Sequence, residues 1–95
     1  MVGMSNSERR TGEAVVIFHA LRHDKRLKIL ARLYDNLPEK TPYEEIKTEL
    51  ELDDSACSHH LKVLRDAGLI QRDGAEWKYS PTDLTINLVK QYSTD

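Results

Sequence analysis

Ninety-five residues suffice for one small hydrophobic core and exclude a two-lobed catalytic architecture. Charged residues make up 32% and hydrophobic ones 39%, and no apolar run approaches the roughly 18 residues of a membrane span, so the expectation is a soluble, cytoplasmic protein without a membrane partner. Fourteen Lys/Arg against sixteen Asp/Glu give a net charge of −2, which excludes binding of nucleic acid by bulk charge, because phosphate neutralisation supplies most non-specific affinity.

Residues 1–10 are polar and aperiodic, the composition of a flexible N-terminal arm, and residues 11–95 are expected to form the single domain. Ala14, Ile17, Phe18 and Leu21 fall at i, i+3, i+4 and i+7, which predicts a first helix from about Thr11 to Arg22 with that face inward. Leu27, Leu30, Ala31 and Tyr34 repeat the spacing in a second helix, with Asp24 as its cap and Pro38 as its stop. Thr41-Pro42-Tyr43-Glu44 has the form of a capping box, with a hydroxyl at the N-cap, proline at the first helical position and a carboxylate reaching back. Tyr43, Ile46 and Leu50 share a face of the third helix that follows. After a turn at Glu51-Leu52-Asp53, Asp53 or Asp54 caps a fourth helix from about Asp54 to Ala67. Its apolar stripe is Cys57, Leu61 and Leu64, and Gly68 stands where a left-handed residue ends a helix.

Beyond Gly68 the period drops to two. Leu69 to Ser80 reads as a hairpin turning at Asp73-Gly74, with Arg72 opposite Ala75 and Ile70 opposite Trp77. Ser80-Pro81-Thr82-Asp83 then resembles a second cap, opening a last helix that carries Leu84, Ile86, Leu88, Val89 and Tyr92. Closely linked third and fourth helices followed by a hairpin make the winged helix-turn-helix order. The fold class is therefore mainly α (α+β), about five helices with one β-hairpin wing.

Two strings carry a family resemblance. Residues 20–33, ALRHDKRLKILARL, and above all residues 58–70, SHHLKVLRDAGLI, resemble the ArsR-type bacterial and archaeal transcriptional regulators, and the likeness continues through Trp77, Tyr79 and Thr82-Asp83-Leu84. It covers about two thirds of the chain. The resemblance implies a homodimeric repressor with its fourth helix in the major groove of a two-fold operator in double-stranded DNA and its wing, Leu69 to Ser80, on neighbouring phosphates. Ser55, Ala56, Ser58 and His59 are then the candidates for base reading, through hydroxyl and imidazole hydrogen bonds and a methyl contact to thymine. Lys62, Arg65, Arg72 and Lys78 are candidates for phosphate, with Thr41 and Tyr43 as a second anchor. His60, beside the buried stripe, reads as a hydrogen-bonded packing residue. Val15, Val16, Ile86, Val89 and Tyr92 are apolar residues left over once each helix has turned a face to its own core, which makes them the candidate dimer interface.

Departures from the family pattern bear on sensing. Many ArsR-type proteins bind metal through cysteines on the third helix or through Asp and His on the last. Here the third helix has neither Cys nor His, and the last has Asp83 without His or Cys, so neither a metal nor a cofactor is expected. His19 and His23 are a lone pair, short of a ligand set. Cys57, on the apolar stripe, reads as a small buried hydrophobe. No enzyme is expected, since Cys57, Ser58 and His59 are consecutive and a helix turns them about 100° apart.

Acidity is the counter-signal. Residues 51–95 carry five basic against eight acidic side chains, and Asp53, Asp54, Asp73 and Glu76 all fall at the supposed DNA-facing end. This motivates the alternative of a winged helix interaction module that docks its acidic C-terminal half on a basic partner.

Overall fold

The computed structural model describes residues 6–92. Helix α1 spans Asn6–Leu21 and α2 spans Asp24–Asp35. A two-residue strand β1, Thr41–Pro42, leads into α3, Tyr43–Glu49, and a turn later α4 spans Asp54–Asp66. Strands β2, Ile70–Asp73, and β3, Lys78–Pro81, form the wing, and α5 closes the fold over Asp83–Tyr92. The three strands make one antiparallel sheet in the order β1-β3-β2. Among the described residues this is a winged helix-turn-helix of five helices. Its helices are terminated by local chemistry. The Asp53 carboxylate accepts from Ala56 N at 2.7 Å to cap α4. Gly68, at φ +76°, ends α4, with its own N–H on Arg65 O and that of Leu69 on Leu64 O.

The core is assembled from Ile29 and Leu33 of α2, Ile46 of α3, Cys57, Leu61 and Leu64 of α4, and Leu69 and Tyr79 at the sheet. The stripe expected on α4 is therefore the one that is buried. On α2 the buried face is Arg26, Ile29, Leu30 and Leu33, rotated from the expected one, and Leu27 is left exposed.

Several expectations are corrected. Helix α1 begins at Asn6, so the supposed arm of residues 1–10 is helical in its second half, and residues 1–5 lie outside the described residues. The cap of α2 is His23, whose Nδ1 accepts from Lys25 N at 3.3 Å, and Asp24 is the first helical residue. No capping box forms at Thr41. That residue is a strand residue paired with Tyr79, its hydroxyl accepts from Asn36 Nδ2 at 3.0 Å, and Pro42 occupies the N-cap without a side-chain bond. The wing turn has four residues, not two. Asp73 pairs with Lys78, Arg72 with Tyr79 and Ile70 with Pro81. Trp77 consequently leaves the face of Ile70 and lies in the loop at φ +52°, with 57% of its surface exposed. The competing bond is Tyr43 N to Trp77 O at 3.0 Å, which ties the end of the wing loop to the start of α3.

Candidate nucleic-acid interface

An α-helix buried along one stripe must present the opposite one. With Cys57, His60, Leu61 and Leu64 buried, α4 exposes Ser55, Ser58, His59 and Lys62, spaced i, i+3, i+4 and i+7 on a single ridge. Ala56 is half-buried, with its N–H taken by Asp53. Arg65 is half-buried near the C-terminal end. On the wing, Arg72 is exposed with its guanidinium 4.5 Å from the centroid of the Trp77 ring, and Lys78 is half-buried. Thr41 is 0% exposed. The phosphate role expected of its hydroxyl is thereby ruled out, because strand pairing draws that side chain into the core.

Tyr43 reaches across to α4. Its hydroxyl donates to Asp54 Oδ1 at 2.9 Å and lies 3.3 Å from Ser58 Oγ. The phenol is held above its ordinary pKa: the bond to Ser58 pulls it down, but burial and the Asp54 carboxylate outweigh that. Its proton is committed to a carboxylate, so Tyr43 positions the first turn of α4.

The acids at this end of the molecule are each engaged. Asp53 caps its own helix. Asp54 is bonded by Lys47 Nζ at 3.0 Å as well as by Tyr43, and Lys47 first and Tyr43 second hold it below the ordinary carboxylate range. Asp73 takes Lys40 Nζ at 3.0 Å and the N–H of Ala75 at 3.1 Å, which lower its pKa in that order. Glu76 pairs with Lys78 at 3.1 Å and Asp66 with Lys62 at 2.8 Å. Lys40 and Lys47 belong to the first half of the chain, so folding carries positive charge from one half onto the acids of the other. Sequence spacing gives no sign of either pair, because each joins separate elements. The pairs of Lys62 and Lys78 are open to solvent and therefore weak, so a phosphate can compete for either lysine.

Behind α4, the buried His60 accepts at Nδ1 from Arg26 Nε at 3.3 Å, and Arg26 Nη1 donates to His19 O at 3.2 Å. The His23 ring stands 4.4 Å from that of His60. His60 is thus a hydrogen-bonded packing residue, and the buried Arg26, absent from the sequence reading, is its partner. Cys57 is fully buried, and burial pushes its thiol up in pKa.

A second surface is apolar. Phe18 and Leu21 of α1, Leu27 and Tyr34 of α2, and Leu84 and Leu88 of α5 are among the residues lining an open apolar groove of about 840 Å³. The faces read as core on α1 and α2 are largely the walls of this groove, with Phe18 still 64% exposed. Of the expected dimer residues, Val15 and Val16 are exposed, Ile86 and Val89 are half-buried, and Val89 lines the groove. The side chain of Tyr92 lies outside the described residues.

A recognition-type helix on a paired helix, flanked by a hairpin, defines a winged helix-turn-helix domain. The chain belongs to the helix-turn-helix domain family, whose model matches residues 17–72. It is 36% identical over 69 residues to the transcriptional activator HlyU of Vibrio cholerae, a match covering 73% of this chain and 61% of that protein. The solved structure of HlyU superposes with a TM-score of 0.69 at 30% identity, covering 90% of this chain and 97% of that one. NolR from Sinorhizobium fredii gives 0.71 at 27% identity, over 98% and 94% of the two chains. A homodimeric winged helix-turn-helix DNA-binding domain from Mycobacterium bovis, described as a possible ArsR-family regulator, gives 0.77 at 23% identity, over 97% of this chain and 86% of that one. Among the described residues no helix is long and apolar enough to cross a membrane.

Proposed function

We propose that this protein is a non-enzymatic, cytoplasmic, DNA-binding regulator of transcription that acts as a homodimer. The observation that carries the reading is the division of α4 into a buried stripe and an outward ridge of short polar side chains ending in Lys62. Ser55, Ser58 and His59 on that ridge, with the methyl of Ala56 beside it, read base edges in the major groove, and Lys62, Arg65, Arg72 and Lys78 meet phosphates. A two-fold operator with half-sites about one helical turn apart follows from a two-fold dimer. Repression needs only occupancy of such a site; the activator designation of HlyU belongs to that protein. Dimerisation joins α1 and α5 through Val15, Val16, Ile86, Val89 and Tyr92, and the exposure of Phe18 and Leu84 enlarges the apolar surface that association would cover.

The alternative, an interaction module that docks its acidic half on a basic partner, is less favoured by the engagement of Asp54 with Lys47 and of Asp73 with Lys40. Fluorescence anisotropy with the duplex upstream of the protein's own gene, over a salt series, tests the proposal. The expected outcome is saturable binding that weakens steeply as salt rises; no binding at low salt would overturn it. Lys62→Ala should weaken binding to all sequences alike, whereas Ser58→Ala or His59→Ala should blur preference at particular bases.

A further inference from the structure

We propose that Ser58 reads its base only as a hydrogen-bond acceptor, and so selects adenine or cytosine, whose major-groove edges carry an amino donor, over guanine or thymine. The inference rests on the DNA-binding reading above and assigns a direction to one of its contacts.

The argument follows protons through a short chain of side chains. Lys47 Nζ and Tyr43 Oη both lie against Asp54 Oδ1, at 3.0 and 2.9 Å. An ionised carboxylate can only accept, so both groups donate to it. Tyr43 has a single proton. The alternative acceptor within reach, the backbone carbonyl of Asp54, is 3.4 Å away and uncharged, and a charged acceptor at the shorter distance wins. With its proton committed, Tyr43 Oη meets Ser58 Oγ at 3.3 Å as the acceptor of that contact. The Ser58 proton therefore points inward, toward α3, and the solvent-exposed side of its oxygen offers lone pairs alone. Guanine O6 and N7 and thymine O4 are acceptors and would face those lone pairs without a proton between them. Adenine N6 and cytosine N4 supply one. An isolated serine on a helix would be indifferent, because its hydroxyl rotates to donate or accept. Here Tyr43 acts as a positioning residue that removes this freedom, and the direction is imposed by the charge on Asp54.

The test is selection from a randomised duplex library by the full-length protein and its variants, with base preferences read by sequencing. Ser58→Ala identifies the position Ser58 contacts, as the one whose preference it flattens. At that position the wild type is expected to favour A or C over G or T by roughly three- to tenfold, the worth of one hydrogen bond. Tyr43→Phe frees the Ser58 proton and should bring that ratio close to one while leaving positions not read from the first turn of α4 unchanged, a loss of discrimination that misfolding would not confine to that part of the site. Asp54→Asn, whose amide can donate to Tyr43, provides a second route to the same relaxation should the phenylalanine variant fold poorly. Preference for G or T in the wild type, no position sensitive to Ser58→Ala, or an unchanged ratio in the folded variants would each overturn the proposal while specific DNA binding stands. Failure of the wild type to enrich any sequence would overturn the DNA-binding reading itself.

Discussion

At the scale of single residues, the contact between His60 and Arg26 sets a pH limit on the fold. Nδ1 of His60 accepts from a buried guanidinium, and protonation would convert that acceptor into a second positive donor aimed at Arg26. Burial first, then His23 and Arg26, with smaller contributions from His59 and Lys25, hold the imidazole below its ordinary range. An unfolded imidazole titrates near about 6.5, so between that value and the folded one the unfolded chain binds more protons. Stability is then fully present above the unfolded pKa and declines as pH falls through the window. Melting temperature is expected to drop between pH 7.5 and 5.5. The carboxylates of Asp54, Asp66 and Asp73 are held below their ordinary range, so the stability they contribute at neutral pH is lost only at lower pH, below the histidine window. His60→Asn, which keeps an acceptor for Arg26 but does not titrate, should flatten the decline; a slope equal in both proteins would show that His60 is not its source.

At the scale of elements, α3 and α4 end in the same way with different residues. Each is closed by paired N–H bonds from the two residues after the cap, Glu51 to Thr48 O with Leu52 to Lys47 O, and Gly68 to Arg65 O with Leu69 to Leu64 O. This motif needs a left-handed residue, and the two sit at φ +54° for Glu51 and +76° for Gly68. Glycine occupies that region freely, whereas a residue with a Cβ meets its carbonyl at a cost of about 1 kcal/mol. Gly68→Ala is therefore expected to lower stability by about 1 kcal/mol, all of it from the backbone, since a Cβ there would meet nothing within 4 Å. Glu51→Gly should raise it by about 0.5 kcal/mol, the relieved strain less the greater entropy of glycine in the unfolded chain. Urea denaturation with unchanged slope reads both effects, and destabilisation by Glu51→Gly would refute the strain assigned to the helix-turn-helix corner.

At the scale of the whole molecule, the two proposed surfaces have opposite character. One is the polar ridge of α4 with the wing; the other is the apolar groove between α1, α2 and α5. Leu84 lines both that groove and a smaller depression beside Val16 and Ala67 and remains exposed, which puts it within the apolar surface that association would cover. In sedimentation equilibrium at micromolar concentration the wild type is expected to run as a dimer and Leu84→Glu as a folded monomer, since a carboxylate trapped in an apolar interface is strongly disfavoured. A monomeric wild type would remove the dimer from the proposal.

The sequence by itself determined what depends on neighbours a few residues away. The order of five helices and a wing, the buried stripe of Cys57, Leu61 and Leu64, a cap at Asp53 or Asp54 and the left-handed Gly68 all follow from periodicity and end chemistry, and the structure chose Asp53. Only the tertiary structure decided whatever joins distant segments. Thr41 looked like a cap until Tyr79 paired with it as a strand. The Asp73-Gly74 turn signal gave way because Trp77 O is held by Tyr43 N and β3 must begin at Lys78 to serve β1 as well as β2. Apolar faces on α1 and α2 announced burial without naming the partner, and in the monomer much of that surface remains an open groove. Two of the acids that argued against DNA, Asp54 and Asp73, are met by Lys47, Tyr43 and Lys40, which folding brings to them, because charge pairing acts through space and composition counts only along the chain.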